Sequence, residues 1–517
     1  MLSKKLMKSA ATVGGVTLIS RIMGFMRDVV IAHSFGAGAS TDAFLVAFKI
    51  PNFMRRLFAE GAFSQAFVPV LSEYKAQRDP QEVKHLVDRV AGTMASVLFL
   101  VTLSGLILAP ILVLIFAPGF TQHGDKYQLT IDLLRITFPY LLFVALTAFA
   151  GSILNTFGYF SIPAFTPVLL NICLIVAATV FAPYFDEPIT ALAWGVFVAG
   201  IVQLLFQLPF LRRLGMLPRP RIDWQDAGVK RIYTLMLPAL LGVSVTQINL
   251  LVDTLMASFL VTGSVSWLYY SDRLMEFPVG VFGLALATVI LPNLSKTVAL
   301  KEMTLFNATL DWALRWVFVV TLPAMLGLML LAIPMLATLF NYGQFSQHDV
   351  TMTSYSLMAY AVGLPAFVLI KVLASGFYSR QDTRTPVRIA IMAMVANMTL
   401  NLLFIIPLQH TGLALATSLA ALLNAALLYF SLRKNHVFMP LSHWPRLLLQ
   451  VGGSCVMMGV VLWWGAGDAQ FWFNASIFER VTGLFLWIFL GMAIYGASLF
   501  LMGFRLEHMD LQSPVRE

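Results

Sequence analysis

A succession of long apolar stretches is the feature that most constrains how this chain can fold. A helix needs about 20 mostly apolar residues to cross the hydrocarbon core of a membrane. Hydrophobic residues make up 59% of the 517 positions and charged residues only 11%, against about 25% charged in a soluble domain. We count fourteen stretches of sufficient length, at residues 12–33, 40–70, 90–116, 129–154, 161–182, 189–211, 233–260, 267–293, 310–339, 351–377, 387–406, 411–431, 446–465 and 480–503. The sequence therefore predicts an all-α polytopic membrane protein with fourteen transmembrane helices.

Basic loop residues predict the orientation of these helices. With the N-terminus placed in the cytoplasm, the inside segments hold 23 Lys and Arg residues, whereas the outside loops hold only Lys126 and Arg480. Such a bias fixes the orientation because loops rich in Lys and Arg stay on the cytoplasmic side. We therefore expect both termini in the cytoplasm. Nine further basic residues then lie at membrane depth.

Short motifs that recur at an offset of 223–226 residues indicate an internal repeat. For example, Val68–Ser72 (VPVLS) is similar to Leu291–Ser295 (LPNLS). Because each copy holds six helices, the copies run parallel, as in secondary transporters whose sites lie between the repeats. We predict two six-helix lobes in a V, at residues 1–215 and 216–435, and two extra C-terminal helices within residues 436–517.

Arginines inside the apolar stretches indicate a site for an anion. A charge in hydrocarbon costs about 3 kcal/mol or more, so it is retained where it faces a cavity or a partner. The planar guanidinium forms paired hydrogen bonds to phosphate oxygens. We therefore predict a wet, cationic cavity that binds a phosphate or pyrophosphate. Its proposed ligands are Arg21, Arg27, Arg55 and Arg273.

Local ion pairs are the alternative for several of these arginines. Arg27 could be neutralised by Asp28 or by Asp42. Arg273 and Glu276 are three residues apart on one helix and could pair, either statically or as a latch that substrate releases. We assign gating or ion-pair roles to Asp28, Asp42, Arg56, Glu60, Asp272 and Glu276.

The second predicted helix carries two adjacent arginines with different expected roles. On an α-helix Arg55 and Arg56 point about 100° apart, so only one is expected to face the cavity. Glu60 lies at i+4 from Arg56 and is its natural partner. We therefore assign Arg55 to the substrate and Arg56 to a structural pair. Pro51 frees a backbone carbonyl near mid-membrane, which is common at gates and sites.

The sequence around Asp253 predicts a lone intramembrane carboxylate, which is a candidate proton or cation site. Asn397, Asn401 and Thr417 offer oxygen ligands that could join it. The alternative is a hydrogen bond between the lobes.

The chain lacks the motifs of an enzyme. It has no P-loop, no clustered Asp pair, no His-Glu metal motif and no Gly-x-Ser-x-Gly elbow, and its two cysteines lack metal-ligand spacing. We expect no catalytic residues, no metal, no cofactor and no nucleic-acid partner. Transport would then draw its energy from a coupling cation or the membrane potential.

Six stretches form long and specific motifs. They are Ser20–Asp28 (SRIMGFMRD), Phe35–Ala39 (FGAGA) with Thr41–Phe44 (TDAF), Pro51–Pro69 (PNFMRRLFAEGAFSQAFVP), Asn155–Pro167 (NTFGYFSIPAFTP), Tyr269–Pro278 (YYSDRLMEFP) and Gly376–Pro386 (GFYSRQDTRTP). The chain resembles, on these motifs, the MurJ/MviN family of bacterial lipid II flippases in the MOP exporter superfamily.

This resemblance implies a substrate and a place in the cell. The implied activity is export of undecaprenyl-pyrophosphate-disaccharide-pentapeptide, the lipid-linked peptidoglycan precursor, from the cytoplasmic to the periplasmic leaflet of the inner membrane. It implies substrate roles for the four arginines, and we expect membrane lipids and the cell-wall synthesis machinery as further partners. The chain departs from relatives at Ser375, where many carry Pro, and at Asn401, where some carry Asp; these departures weaken a proline hinge and the cation site.

Two other functions are compatible with parts of this pattern. A cation-coupled multidrug or polysaccharide-lipid exporter of the same fold would be favoured by an acidic cavity, whereas the predicted cavity is basic. A membrane-embedded prenyl-pyrophosphate enzyme would need catalytic acids or a metal site near the membrane surface.

The loop charges predict which loops face the periplasm. Cysteines placed at Gln122 and Ser346 should react with an impermeant thiol reagent added to the periplasm, and cysteines at Gln77 and Asp226 should not. Labelling of Gln77 and Gln122 from the same side would contradict the fourteen-helix topology.

Overall fold

The computed structural model describes residues 2–434, 437–440 and 444–505, apart from the side chains of residues 2–11, 13, 58–61, 239, 241–250, 284, 285 and 287. Within these ranges the chain forms helices and connecting turns and no β-strand, which confirms the all-α class. Ten helical stretches of the described chain are long and apolar enough to cross a membrane, judged by length and composition. Helices also cover each of the fourteen predicted stretches, but the number of crossings stays a prediction.

Packing divides the chain into two compact units, Met1–Ser266 and Trp267–Glu517. The helices of the first unit are α1 (Leu2–Phe35), α2 (Ala39–Met54), α3 (Ser64–Gln77), α4 (Pro80–Ile107), α5 (Ala109–Phe116), α6 (Gly124–Thr137), α7 (Tyr140–Thr156), α8 (Ser161–Val176), α9 (Thr190–Arg213) and α10 (Ala227–Ala257). Helix α11 (Ser264–Pro278) begins at the end of this unit.

The second unit continues α11 and holds the remaining helices. These are α12 (Leu284–Ala299), α13 (Met303–Leu330), α14 (Ala332–Phe340), α15 (Gln347–Val362), α16 (Leu364–Tyr378), α17 (Arg384–Lys434), α18 (Trp444–Gly465), α19 (Ala469–Asn474) and α20 (Ile477–Leu501).

Helix α10 packs with the first unit, although the predicted repeat assigns it to the second lobe. Ion pairs bind its start to earlier helices: Arg231 lies 2.8 Å from Glu73 of α3, and Arg89 of α4 lies 3.3 Å from Asp223 in the preceding loop. The hydrogen bond from Arg231 lowers the pKa of Glu73. The predicted lobes rest on sequence repetition rather than packing, so their boundaries stay a prediction.

The second predicted helix is not α-helical throughout. Between α2 and α3, residues Arg55–Phe63 form a π-helix, in which each N–H bonds to the carbonyl five residues earlier. The expected 100° separation of Arg55 and Arg56 assumed an α-helix and does not apply here.

A proline just before the π-helix connects α2 to α6. Pro51 has no N–H, so it leaves the carbonyl of Ala47, four residues earlier, without its usual helical donor. The hydroxyl of Thr137, near the end of α6, lies 3.3 Å from that carbonyl and 3.3 Å from the carbonyl of Leu134, so its proton is shared between them. The freed carbonyl expected from the sequence is thus satisfied by a neighbouring helix.

Helix α17 covers both predicted helices 11 and 12 because a break, rather than a loop, separates them. The break lies at Gln409, with φ 49° and ψ −130°, two residues after Pro407. Glycine is required at position 412, just after the break, since a Cβ there would lie 2.4 Å from the carbonyl oxygen of Phe404. The sequence-based division between residues 406 and 411 agrees with this break.

Each unit has its own apolar core. In the first, aromatic rings from three elements meet: Phe63 stacks on Phe67 at 5.1 Å, and Phe67 packs against Phe149 of α7 at 5.1 Å. In the second, buried aliphatic residues of α13 pack against those of α16, including Leu310 and Val372.

Two of the proposed labelling positions are helix caps. Asp226 accepts a hydrogen bond from the N–H of Val229 at the start of α10, and Ser346 caps α15. Losing a cap costs about 1 kcal/mol. The exposed neighbours Gln225 and Gln347 test the same loops without removing a cap.

Candidate functional site

Arg27 is buried, whereas Arg21 is exposed on the same helix. The Nε and Nη2 atoms of Arg27 donate to Oδ1 of Asp28 at 2.9 and 2.6 Å, and Nη1 donates to Oδ1 of Asn171 on α8 at 3.1 Å. Asp28, rather than Asp42, is therefore the carboxylate bound to Arg27. A substrate contact of Arg27 stays a prediction.

Arg55 stands at the start of the π-helix and lines a cavity. Its Nε donates to Oδ1 of Asn52 at 3.2 Å, and its side chain reaches a cavity of about 350 Å³ inside the first unit. Arg56 is exposed. The side chain of Glu60 lies outside the described residues, and so does the predicted pair of Arg56 with Glu60.

Asp42 pairs with a residue that the sequence placed in an outside loop. In the first turn of α2, its carboxylate accepts bonds from Nζ of Lys126 at 2.8 Å, from the backbone N–H groups of Gly263 and Ser266 at 2.8 and 3.0 Å, and from the Ser266 hydroxyl at 2.6 Å. Lys126 also lies 4.0 Å from the centroid of the Phe120 ring. Both charged side chains are at least 94% buried, with exposures of 1% and 6%. This network fixes the starts of α2 and α6 together.

Asp253 is not a lone carboxylate. Nζ of Lys49 donates to the hydroxyl of Thr254, which brings an ammonium group to the residue next to Asp253. Asp253 also takes part in a polar interaction of its own. The premise of an isolated acid is therefore wrong, while the cation role of this residue stays a prediction.

In the second unit, Arg273 forms the local pair that its spacing allows. Its Nη1 lies 2.8 Å from Oε2 of Glu276, which is exposed. Its guanidinium also lies 5.0 Å from the centroid of the Tyr269 ring. Asp272 is half-buried beside it.

The three polar residues proposed as cation ligands form a hydrogen-bonded chain. Asn401 donates to Oδ1 of Asn397 at 3.1 Å, and Asn397 donates to Oγ1 of Thr417 at 3.3 Å. The chain joins the two halves of α17 across the break at Gln409. Asp253 belongs to the first unit, so only these three are brought together within one unit.

Several buried polar residues were missed by the sequence analysis. Gln203 and Gln207 are one turn apart on the otherwise apolar α9, and that spacing was a usable signal. Lys126 and Asn171 gave no such signal, because their partners Asp42 and Arg27 lie 84 and 144 residues away.

These features define a class of protein. Buried ion pairs carried on long apolar helices are typical of a multi-pass membrane protein, in which charged residues at membrane depth often mark the path of a polar substrate or ion. No group of three or more His, Cys, Asp or Glu in the described part of the chain could hold a metal ion.

Comparison with known proteins identifies the family within this class. The sequence model of the family described as lipid II flippase MurJ matches residues 31–483. A probable lipid II flippase MurJ of Vibrio cholerae is 50% identical over 98% of each chain, and one of Haemophilus influenzae is 47% identical over 96% of this chain and 99% of its own. The chain belongs to the lipid II flippase MurJ family.

Solved structures agree with this assignment. A lipid II flippase MurJ in an inward closed conformation matches with a TM-score of 0.80 and 26% identity, covering 95% of this chain and 98% of that one. An inward-facing MATE multidrug resistance transporter of the MOP superfamily matches with a TM-score of 0.66 and 16% identity, over 83% of this chain and 98% of its own. The second likeness shows the fold alone.

The pairing of Arg27 predicts a difference in stability between two arginines of α1. Arg27→Ala removes two bonds from the buried carboxylate of Asp28, and breaking a buried pair costs about 3–5 kcal/mol. Arg21→Ala is the matched control, because the loss of an exposed side chain changes stability by about 0.5 kcal/mol or less. Thermal unfolding of both purified variants measures the difference, and equal melting temperatures would contradict the pairing.

Proposed function

We propose that this chain flips lipid II, the undecaprenyl-pyrophosphate-linked peptidoglycan precursor, from the cytoplasmic to the periplasmic leaflet of the bacterial inner membrane. The observation that carries this proposal is membership of the lipid II flippase MurJ family over residues 31–483, with relatives about half identical from end to end. The relatives are named as flippases, and we assign no catalytic step to this chain.

Alternating access is the proposed mechanism. Fourteen transmembrane helices, with both termini in the cytoplasm, form two six-helix lobes in a V around a central cavity, and the lobes rock against each other. The helical coverage of all fourteen apolar stretches and the loop charges support this topology. The prenyl tail stays in lipid, near helices α18 and α20, because a wet cavity is a poor solvent for hydrocarbon.

The pyrophosphate is bound by the four arginines. Arg27 and Arg273 each hold a carboxylate, Asp28 and Glu276 respectively. A pyrophosphate can replace such a carboxylate on the same guanidinium, since both anions accept the paired bonds of the arginine fork. Arg21 and Arg55 complete the set. A coupling cation, with Asp253, Asn397, Asn401 and Thr417 as candidate ligands, or the membrane potential supplies the energy.

Depletion of the protein in cells tests this function. Lipid II should accumulate in the cytoplasmic leaflet, where an externally added enzyme that cleaves its head group cannot reach it. Lipid II exposed on the periplasmic side after depletion would contradict the proposal. Restoration of accessibility on re-expression is the control.

The arginine assignment makes a separate prediction about growth. Arg21→Ala, Arg27→Ala and Arg273→Ala should each fail to complement a depleted strain although the variant protein is still present in the membrane. Lys at these positions should restore growth only partly, because an ammonium lacks the guanidinium fork. Arg135 is the matched control, since it also forms an exposed pair across three residues, with Asp132 at 3.5 Å. Arg135→Ala should complement. Normal growth of all three variants at native abundance would exclude an arginine-lined site.

A further inference from the structure

The cavity reached by Arg55 has a wall of neutral polar groups. It lies between α7, α8 and α9, and Thr166, Gln203 and Gln207 are among its lining residues. Its volume of about 350 Å³ is at the small end of the range for ligand sites. A single ring fits such a volume, whereas a disaccharide with a pentapeptide does not.

The hydrogen bonds of Thr166 fix the orientation of both glutamine amides. Nε2 of Gln203 donates to the carbonyl oxygen of Thr166 at 3.0 Å. The hydroxyl of Thr166 donates to the carbonyl of Ile162 at 3.2 Å, so it accepts from Nε2 of Gln207 at 3.0 Å. If the nitrogen and oxygen of the Gln203 amide exchanged places, Oε1 would face the carbonyl oxygen of Thr166, and both are acceptors. If those of Gln207 exchanged places, Oε1 would face the Thr166 hydroxyl, whose proton is already donated to Ile162. The Oε1 atoms therefore point away from Thr166.

Within the described part of the chain, both Oε1 atoms are buried acceptors without a protein donor. Gln203 and Gln207 are 3% and 1% exposed. Among the described residues, neither Oε1 atom has a hydrogen-bond partner. An acceptor buried in this way costs free energy until a donor reaches it. The two atoms therefore indicate a ligand that carries donors.

A glycine packs close to one of these acceptors. A Cβ on Gly151 of α7 would lie 3.7 Å from Oε1 of Gln207 and 3.2 Å from Cβ of Pro163. Any larger side chain at this position would therefore narrow the approach to the acceptor.

We propose that this cavity is a subsite for one sugar ring of the lipid-linked cargo, with Oε1 of Gln203 and Gln207 accepting bonds from its hydroxyl or amide N–H groups. The proposal rests on the function proposed above and specifies the part of the substrate that the first unit recognises. Phosphate is excluded at the glutamines because it offers acceptors to acceptors. A metal cation is disfavoured because the positive guanidinium of Arg55 lines the same cavity. Arg55 suits the phosphate that adjoins the first sugar.

Binding measurements with three lipids test the subsite. The probes are undecaprenyl pyrophosphate, the same lipid carrying the disaccharide without peptide, and full lipid II, each titrated against the purified full-length protein. Gln203→Met and Gln207→Met keep side-chain length and remove the amide. Each should weaken binding of both sugar-bearing lipids about threefold, and the double variant about tenfold. Binding of undecaprenyl pyrophosphate should not change.

Two further variants separate the subsite from a structural role. Gln450→Met is the matched control, because Gln450 is also buried and donates to a backbone carbonyl, that of Met502, at 2.9 Å in the second unit; it should leave all three affinities unchanged. Gly151→Ala keeps both glutamines and should still weaken the sugar-bearing lipids selectively.

The outcomes distinguish this inference from the proposed function. Wild-type protein that binds none of the three lipids contradicts the flippase proposal itself. Wild-type protein that binds lipid II, with unchanged affinities in the double variant, shows that the glutamines hold ordered water only and overturns the subsite. Equal losses for all three lipids overturn it as well, since the sugar would then not be what the glutamines recognise. A sodium dependence of binding that disappears in the double variant would show a cation site instead.

Discussion

The cost of an unpaired charge in hydrocarbon governs the polar architecture of both units. A buried ion without a partner is several kcal/mol less stable than a paired one, and the described helices meet this cost through close contacts. Asp311 on α13 accepts bonds from Nε of Arg315 and from Nε1 of Trp444, at 2.6 and 2.7 Å. Within the described part of the chain, Arg480 contacts no carboxylate and instead donates to four backbone carbonyls, at distances of 2.7 to 3.1 Å. Those carbonyls belong to the ends of α14 and α19 or to the residues that follow, where helical partners are lacking. Backbone carbonyls at helix ends thus serve as partners for this charge.

The same constraint explains which parts of the structure could be predicted from the sequence. Apolar length reports burial in hydrocarbon directly, so the helical stretches and the break near Gln409 were recoverable. Pairs within one helix, such as Arg273 with Glu276, follow from spacing. Asp42 with Lys126 does not, because it depends on how α2 and α6 pack. The π-helix at Arg55–Phe63 was also hidden, since no residue in that segment requires one more residue per turn.

A sequence repeat and a packing unit are defined by different properties, so their boundaries need not coincide, as α10 shows. Repetition records which segments are similar, whereas compactness records which helices share contacts. Helix α10 begins after a loop whose acidic residues pair with Arg89. Near the start of the helix, Arg231 is bound to Glu73. These contacts associate α10 with α3 and α4 whatever its place in the repeat. Near Asp253 on α10, the bond from Lys49 of α2 to Thr254 is a further contact within the first unit.

Charged and neutral polar groups have different uses in a site that must bind and then release its cargo. When pyrophosphate replaces the carboxylate on an arginine, the guanidinium stays paired, whereas the displaced buried carboxylate loses the bonds of the arginine, which costs free energy. Under the proposed mechanism, Asp28, which is 1% exposed, therefore favours the return of Arg27 and with it the release of the cargo. Such exchange gives weak discrimination between anions, because any phosphate satisfies the fork. Neutral acceptors of fixed orientation, such as the amides of Gln203 and Gln207, can distinguish one cargo from another. A cargo without matching donors leaves these acceptors unsatisfied and therefore binds more weakly. Under these proposals, the exchangeable charges on α1 and α11 would serve release of the cargo. The fixed neutral acceptors on α9 would serve its recognition.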